Sequence, residues 1–231
     1  MRDTFPNLED PTVPVIDLAG RSPAQKQGLL SQLVVPRPIA MITSTDPDGV
    51  VNVAPFSYYM PVCGEPPTVA VTIGTRREAT DAPKDTWANI HNSGEFVINV
   101  TTTAIAEHIE TAGREYPHDV DECAVTGWST IASHVVAPPS LAQSPAHLEC
   151  RVLDTIHRGD PRAPFSGVHI VLAEVVCIDV DESLLAEPGR VDPTAVHAVG
   201  RMGYPWFVTA SPGSIFSQDR VAYADLPSAT G

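Results

Sequence analysis

A strand–turn–strand pattern in residues 39–54 restricts the folds open to this chain. Residues 39–44 and 50–54 are short apolar runs rich in β-branched side chains, and Asp46-Pro47-Asp48-Gly49 lies between them. An Asp-Gly pair in such a turn supplies the positive-φ position that a tight hairpin needs. The pattern therefore predicts a β-hairpin, and similar runs predict further strands at residues 68–74, 95–101, 146–156 and 167–179.

Helices are fewer than strands and do not alternate with them. Ser22 and Gln25 form a capping box that predicts one short helix. Asp85 can cap a second helix that Gly94 ends, and residues 103–113 predict a third. Because regular β-α-β alternation is absent, a doubly wound parallel sheet is disfavoured. We expect a mainly β (α+β) chain built on one antiparallel barrel with a few helical insertions.

The chain divides into three segments by composition. Residues 1–33 hold a proline-containing arm and the short helix, and residues 34–185 hold the strands of the barrel domain. Residues 186–231 are rich in Pro, Gly, Ala and Ser. We interpret this last segment as a mostly irregular C-terminal extension that packs on the barrel or on a partner subunit.

The charge of the chain argues against several classes of partner. Its 14 basic residues against 28 acidic residues leave a formal net charge of −14. Nucleic acids and anionic membranes both require a basic face, so we expect neither as a partner. The four cysteines are widely spaced without a C-x-x-C pair, and the chain shows no secretory signal or membrane-spanning run. These features favour a cytoplasmic protein without bound metal.

One acidic segment is the nearest approach to a metal-ligand cluster. It combines His118 with Asp119, Asp121 and Glu122. Runs of charged residues usually form a solvated face, and we therefore interpret this segment as a solvated acidic turn.

The scarce basic residues gather after the third predicted strand. Arg76 and Arg77 are followed by Lys84, one of only two lysines, just before the predicted helix that contains Thr86. Arginine binds phosphate oxygens as a fork, lysine binds them as a point charge, and a helix start offers free N–H groups. The cluster is either a phosphate cradle or a surface loop that neutralises nearby acids, and these residues alone leave both interpretations open.

A second polar cluster interrupts the second strand of the hairpin. Asn52 and Ser57 flank Pro55 within an apolar run. Proline inside a strand indicates an edge, a bulge or a strand end, where backbone N–H and C=O groups are unpaired and can meet a flat polar ligand. The alternative is a core strand that ends in an irregular turn.

The ordered series of motifs resembles the flavin reductase-like family, whose fold is the FMN-binding split barrel. No sequence motif of an α/β-hydrolase, a zincin, a P-loop NTPase or a Rossmann dehydrogenase is present. The resemblance covers about residues 33–185 and rests on the runs at residues 36–44, 49–57, 84–90, 94–99, 144–150 and 169–175. Beyond about residue 195 it weakens, because Arg201 fits the family pattern whereas the Pro205-Trp206-Phe207 continuation departs from it.

This resemblance implies a homodimer that binds FMN at the subunit interface. It implies that residues of the hairpin strands face the flavin ring, namely Thr43, Ser44, Asn52, Val53 and Ala54. It also implies that the ribityl phosphate is held by Ser57, Arg77, Lys84 and Thr86. This agrees with the phosphate-cradle interpretation of the basic cluster, which adds Arg76 to the predicted site. His169 lies where some members place a histidine near the flavin, although a histidine satisfied within its strand is an equally good interpretation.

The implied activity is that of an NAD(P)H-dependent flavin reductase or related oxidoreductase, in which NADH or NADPH passes hydride through FMN. The cofactor supplies this chemistry, so no acid or base is required and no catalytic residue is assigned. An FMN-binding electron carrier without a nicotinamide site is one alternative, and a split-barrel protein that has lost the cofactor is another. A hydrolase that uses Ser57 or His169 has little support, because Ser57 has no recognisable base partner.

Overall fold

The computed structural model describes residues 15–76, 83–118, 120–160, 163 and 165–218. Its helices are α1 (Pro23–Leu33), α2 (Asp85–Ser93), α3 (Ile109–Ala112) and α4 (Glu122–Thr126), with short 3-10 turns at Ala106–His108, Glu182–Leu184 and Pro212–Ser214. Its strands are β1 (Arg37–Pro38), β2 (Ala40–Thr45), β3 (Val51–Phe56), β4 (Tyr59–Gly64), β5 (Pro67–Gly74), β6 (Glu95–Val100), β7 (Thr130–Ile131), β8 (Ser140–Leu141), β9 (Ala146–Arg158), β10 (Val168–Val180), β11 (Leu185–Glu187), β12 (Arg190–Val191), β13 (Val199–Arg201) and β14 (Phe207–Thr209).

The strand pairings in the described part of the chain are antiparallel. The main sheet has seven strands in the order β3-β2-β6-β9-β10-β5-β4, and it curls so that β3 contacts β5. A second sheet joins β1 to β13 and β14, and two-stranded ribbons pair β11 with β12 and β7 with β8. The predicted fold class, a mainly β antiparallel barrel with helical insertions, is confirmed.

Alternate residues of β2 belong to two separate apolar clusters, because successive side chains of a strand point to opposite faces. Ala40 and Ile42 lie in the cluster that joins the main sheet to Trp87 of α2. Met41 lies in the second cluster, where it packs with residues of α3 and α4 such as Ile109. This division fixes α2 on one face of the β2–β3 hairpin and the short helices on the other.

The predicted hairpin and most helix ends are confirmed. β2 and β3 pair as expected, and Ser22 caps α1 in a complete capping box. Gly94 ends α2 in the left-handed conformation at φ 71. The N-cap of α2 is Lys84 rather than the expected Asp85. Asp85 instead lies in the first turn, where the positive end of the helix dipole stabilises a carboxylate.

Other parts of the secondary structure differ from the expectation. Residues 103–113 do not form one helix, because a 3-10 turn at Ala106–His108 precedes the short α3. Thr103, at the start of the run, has a low helix propensity. The C-terminal extension carries β13, which pairs with β1, and β14, which pairs with β13. The sequence interpretation also missed β4 and α4. No helix in the described part of the chain is long and apolar enough to span a membrane.

Candidate functional site

An open cleft lies where β3, an edge strand of the main sheet, meets the start of α2. Its volume is about 400 Å³ with the open mouth included. The segment between α3 and α4 forms the opposite wall. The cleft brings together part of the predicted cofactor site, namely Asn52, Ala54, Arg76, Lys84 and Thr86.

The basic residues expected in the phosphate cradle are held in place by carboxylates. Nη2 of Arg76 lies 2.6 Å from Oδ2 of Asp85, and Nζ of Lys84 lies 3.2 Å from Oε1 of Glu115. The side chains of Arg76 and Lys84 are only 11% and 26% exposed. Both residues therefore line the cleft, as a phosphate cradle requires, and both also neutralise nearby acids, as the alternative interpretation expected. An anion that binds here has to compete with these carboxylates.

The first turn of α2 is tied to β3 by a side-chain hydrogen bond. Nδ2 of Asn52 donates to Oγ1 of Thr86 at 2.8 Å, and both side chains are buried. Lys84, the N-cap residue, makes no side-chain capping bond. Its side chain therefore leaves the first-turn N–H groups to other partners, which is the arrangement that suits an anion at a helix start.

The outer edge of β3 forms one side of the cleft. Pro55, which has no N–H, lies on this edge strand, which is one of the three positions that its place in the sequence left open. The Val53 N–H points away from β2 and donates to Oε2 of Glu122 at 3.3 Å. The Val53 side chain is buried in the second apolar cluster. Only the backbone of this residue is therefore available on the outer edge of β3.

Glu122 is a cleft residue that the sequence interpretation missed. The expectation of a solvated acidic turn is wrong for it, because α4 packs against β3 and leaves Glu122 only 6% exposed. Burial raises the pKa of its carboxyl group to about 7 against the effect of two backbone hydrogen bonds, and the carboxylates of Asp85 and Asp121 add to the rise. Asp121 as N-cap and Gly127 as C-cap were the sequence signals that could have revealed α4.

His118 of the same acidic segment contacts Asp85, which is one of the residues that line the cleft. The His118 ring lies between two carboxylates, with Nε2 at 3.2 Å from Asp46 and Nδ1 at 3.4 Å from Asp85. Asp119 lies outside the described residues. Within the part of the chain that the structure describes, no group of three or more His, Cys, Asp or Glu side chains could hold a metal ion.

Tyr116 gives an independent sign that the cleft takes a polar ligand. Tyr116 is one of the residues that line the cleft, and its hydroxyl is buried without a hydrogen-bond partner among the described residues. A buried hydroxyl in this state is costly, so a ligand oxygen would stabilise it. The phosphate and hydroxyl groups of FMN fit this set of groups, which combines two basic side chains, a helix start and the Tyr116 hydroxyl.

Two predicted ring-facing residues are buried inside the fold rather than exposed in the cleft. Oγ1 of Thr43 accepts from Nδ2 of Asn99 at 3.2 Å and donates to a backbone carbonyl. Oγ of Ser44 accepts from Nδ2 of Asn89 at 3.2 Å. Both side chains therefore have hydrogen-bond partners within this chain.

Ser57 and Arg77 are also not among the described residues of the cleft. Oγ of Ser57 lies 3.4 Å from Nε of Arg37. The guanidinium of Arg37 is buried and donates to backbone carbonyls, and this burial lowers its pKa. Arg77 lies outside the part of the chain that the structure describes.

His169 lies in an aromatic cluster apart from the cleft. Its ring stacks on Trp87 with a centroid distance of 3.9 Å and an interplanar angle of 5°. Its Nδ1 lies 2.7 Å from Nδ1 of His157, its neighbour on β9. Burial lowers the pKa of His169, and the rings of His157 and His91 lower it further. These contacts favour the interpretation of a histidine satisfied within its strand.

The sequence matches the family model of the flavin reductase-like domain over residues 31–202. Among curated relatives, an uncharacterized protein of Halalkalibacterium halodurans is 35% identical over 196 residues, which cover 83% of this chain and 89% of the relative. The match therefore extends well beyond the hairpin and the cleft.

Two solved structures resemble nearly the whole described fold. Nitrilotriacetate monooxygenase component B from Bacillus cereus has a TM-score of 0.79 at 23% identity, and the match covers 90% of this chain and 98% of that one. The 2-nitrobenzoate 2-nitroreductase NbaA of Pseudomonas fluorescens has a TM-score of 0.77 at 26% identity, with coverage of 94% and 100%.

Proposed function

Since this chain belongs to the flavin reductase-like family of split-barrel proteins, we propose that it is an FMN-binding flavoprotein and an NAD(P)H-dependent flavin reductase or related oxidoreductase. The cleft between β3 and α2 is the observation that carries this proposal, because Arg76 and Lys84 lie there beside a helix start. A phosphate group is recognised by such groups. The net charge of −14 repels an anion at a distance, so the affinity has to come from this local site.

The residues of the chain bind and orient the cofactor in this proposal. Arg76, Arg77 and Lys84 hold the phosphate, and the Asn52–Thr86 hydrogen bond fixes the spacing between β3 and α2. The backbone of β3 near Ala54 provides the polar edge along which the flavin lies. Bound FMN would supply the redox chemistry, namely hydride transfer from a reduced nicotinamide, while the residues of the chain hold it in place.

We propose that the protein is a homodimer with the cleft at the subunit interface. α1 has no buried residue within the subunit, and its Leu30 and Leu33 are 55% and 78% exposed. Met60 and Val62 on the edge strand β4 are exposed as well. Exposed apolar side chains of this kind support surfaces that a second subunit covers. Size-exclusion chromatography coupled to light scattering measures the mass of the protein in solution. A monomer at micromolar concentration contradicts the proposed homodimer.

The proposal also assigns a role to each of the three segments of the chain and a cellular location to the protein. Residues 34–185 form the FMN-binding domain, residues 1–33 form the arm and α1, and residues 186–231 form an extension that packs on the barrel or on the partner. We place the protein in the cytoplasm, where NADH and NADPH are available.

The visible spectrum of the purified protein tests the cofactor directly. We expect flavin absorption, either as purified or after incubation with FMN, together with a rise in Tm when FMN is added. A colourless protein that gains no thermal stability from FMN contradicts the proposal and favours a split-barrel protein that has lost its cofactor.

Steady-state oxidation of NADH and NADPH, each measured separately with excess FMN, tests the activity. Turnover identifies a reductase, whereas FMN binding without turnover identifies an electron carrier that lacks a nicotinamide site. The similarity to a 2-nitrobenzoate 2-nitroreductase gives a reason to include 2-nitrobenzoate as a second electron acceptor in the same assay.

A further inference from the structure

We propose that Glu122 couples the binding of FMN in this cleft to the uptake of one proton, so that the cleft holds the cofactor more tightly when this carboxyl group is neutral. The inference rests on the proposed function, because FMN is the anion concerned. Glu122 lines the same cleft as Arg76 and Lys84, and its side chain is nearly removed from solvent. A change in its charge therefore acts at short range on any anion bound there.

The ionisable groups that line the cleft are closely balanced. They comprise three basic side chains and three carboxyl groups among the described residues, namely Arg76, Lys84 and Arg114 against Asp85, Glu115 and Glu122. The formal charge of this set is zero when all three carboxyl groups are ionised, and it is +1 when Glu122 is protonated. Asp85 and Glu115 are already engaged with Arg76 and Lys84. Protonation of Glu122 therefore makes this set of described residues more positive by one charge, which favours a bound phosphate.

The surroundings of Glu122 allow its charge to change near neutral pH. Its Oε2 accepts the Val53 N–H, and within the described residues no basic side chain lies at salt-bridge distance from it. β3 presents no charged side chain to it, whereas Asp121 on α4 and Asp85 on α2 both disfavour its ionised form. The other charged residues that line the cleft are Arg76, Lys84, Arg114 and Glu115. Burial together with the two acids raises the pKa of Glu122 to about 7.

A phosphate bound beside Glu122 disfavours the ionised carboxylate further, because like charges at short distance repel. Binding therefore raises the pKa of Glu122 and takes up a proton. By linkage, the affinity for the phosphate-bearing ligand falls as the pH rises above 7. The second ionisation of a phosphate monoester lies near pH 6, so the effect of Glu122 is separated from it above that value.

Titrations with FMN between pH 6.5 and 8.5, followed by flavin fluorescence, test the proposal. For the wild type we expect the Kd to rise about tenfold across this range. For Glu122→Gln, whose side chain stays neutral, we expect a Kd that is constant and close to the wild-type value at pH 6.5. Glu107→Gln is the matched control, because it removes an exposed carboxyl group outside the cleft and should follow the wild type.

Riboflavin separates the effect on the phosphate from an effect on the ring. It lacks the phosphate group, so its affinity for the wild type should stay constant over the same pH range. Calorimetry of FMN binding to the wild type at pH 7.5, in two buffers with different ionisation enthalpies, measures the proton uptake without any variant. We expect net uptake, which keeps the test valid if Glu122→Gln does not fold.

The outcomes distinguish this inference from the proposed function. A wild-type Kd for FMN that does not change with pH overturns the coupling but leaves the FMN site intact. The same conclusion follows if riboflavin shows an equal pH dependence, if Glu122→Gln retains the dependence, or if no proton is taken up. Failure of FMN to bind at every pH overturns the proposed function itself.

Discussion

Nδ2 of Asn52 donates a hydrogen bond to Oγ1 of Thr86 at 2.8 Å and thereby joins β3 to the first turn of α2. These two elements carry two sides of the cleft, so this buried pair controls their spacing. Asn52→Ala and Thr86→Ala should each lower the free energy of unfolding by about 1–2 kcal/mol, since each leaves a buried partner without its hydrogen bond. Urea unfolding measures the loss. The double variant should lose less than the sum of the single variants, and strict additivity would contradict the contact.

Of the two lysines, Lys84 should contribute more to the affinity for FMN. Lys84→Ala is expected to raise the Kd for FMN about ten- to hundredfold, because it removes a charge-assisted contact in the cleft. Lys26→Ala is the matched control, since Lys26 is exposed on α1, and it should leave the Kd unchanged. Equal effects of the two substitutions would indicate a response to net charge alone and would contradict a local site.

Glu149 should be a major determinant of stability outside the cleft. Its fully buried carboxyl group accepts the backbone N–H groups of His134 and Val135, both at 2.7 Å, and of Val136 at 3.1 Å. Glu149→Gln replaces an acceptor by an amide that turns N–H groups toward these donors. We expect it to lower the free energy of unfolding by about 2–4 kcal/mol. The exposed Glu107→Gln should have almost no effect, and a loss under 1 kcal/mol at position 149 would refute the assignment.

His169 should make the protein less stable in mild acid. Its pKa in the folded protein is lowered, so below about pH 6.5 the unfolded chain binds more protons than the folded one, and stability falls as the pH decreases. Its hydrogen bond to His157 acts in the same direction, because two imidazolium rings cannot share it. His169→Phe keeps a ring on Trp87 and removes this proton uptake.

Unfolding free energies in urea at pH 7.5 and 5.5 measure this effect. The wild type should lose more stability between these values than His169→Phe does. His108→Phe makes the same replacement beside another tryptophan, Trp128, and reports the general effect of a phenylalanine at such a site. An equal pH dependence in the wild type and His169→Phe would rule out the role of His169.

The local features of the fold could be predicted because short-range rules determine them. The Asp-Gly turn determines the β2–β3 hairpin, and Gly94 is placed where only a residue that tolerates positive φ ends a helix well. Pro55 lies on an edge strand, one of the three positions that a proline inside a strand indicated, since a residue without an N–H is unsuited to a central strand. Arg76 and Lys84 could be found because basic residues are rare in this chain.

The features that were missed depend on contacts between distant segments. Glu122 was expected in solvent, because nothing near it in the sequence reveals that α4 packs against β3. β13 pairs with β1 across more than half of the chain, and β14 pairs with β13, so their short runs carry little local signal. The place of His169 depends on Trp87, which lies on another element altogether.

An edge strand is also a template onto which a strand from another molecule can add, and this is a common route to aggregation. On β3 the outward positions of Val53 and Pro55 offer no free donor, because Glu122 accepts one N–H and the other does not exist. Intermolecular strand addition therefore finds no regular ladder of hydrogen bonds at this place. A cleft that borders a sheet edge can in this way bind a small molecule without promoting the addition of a β-strand from another molecule.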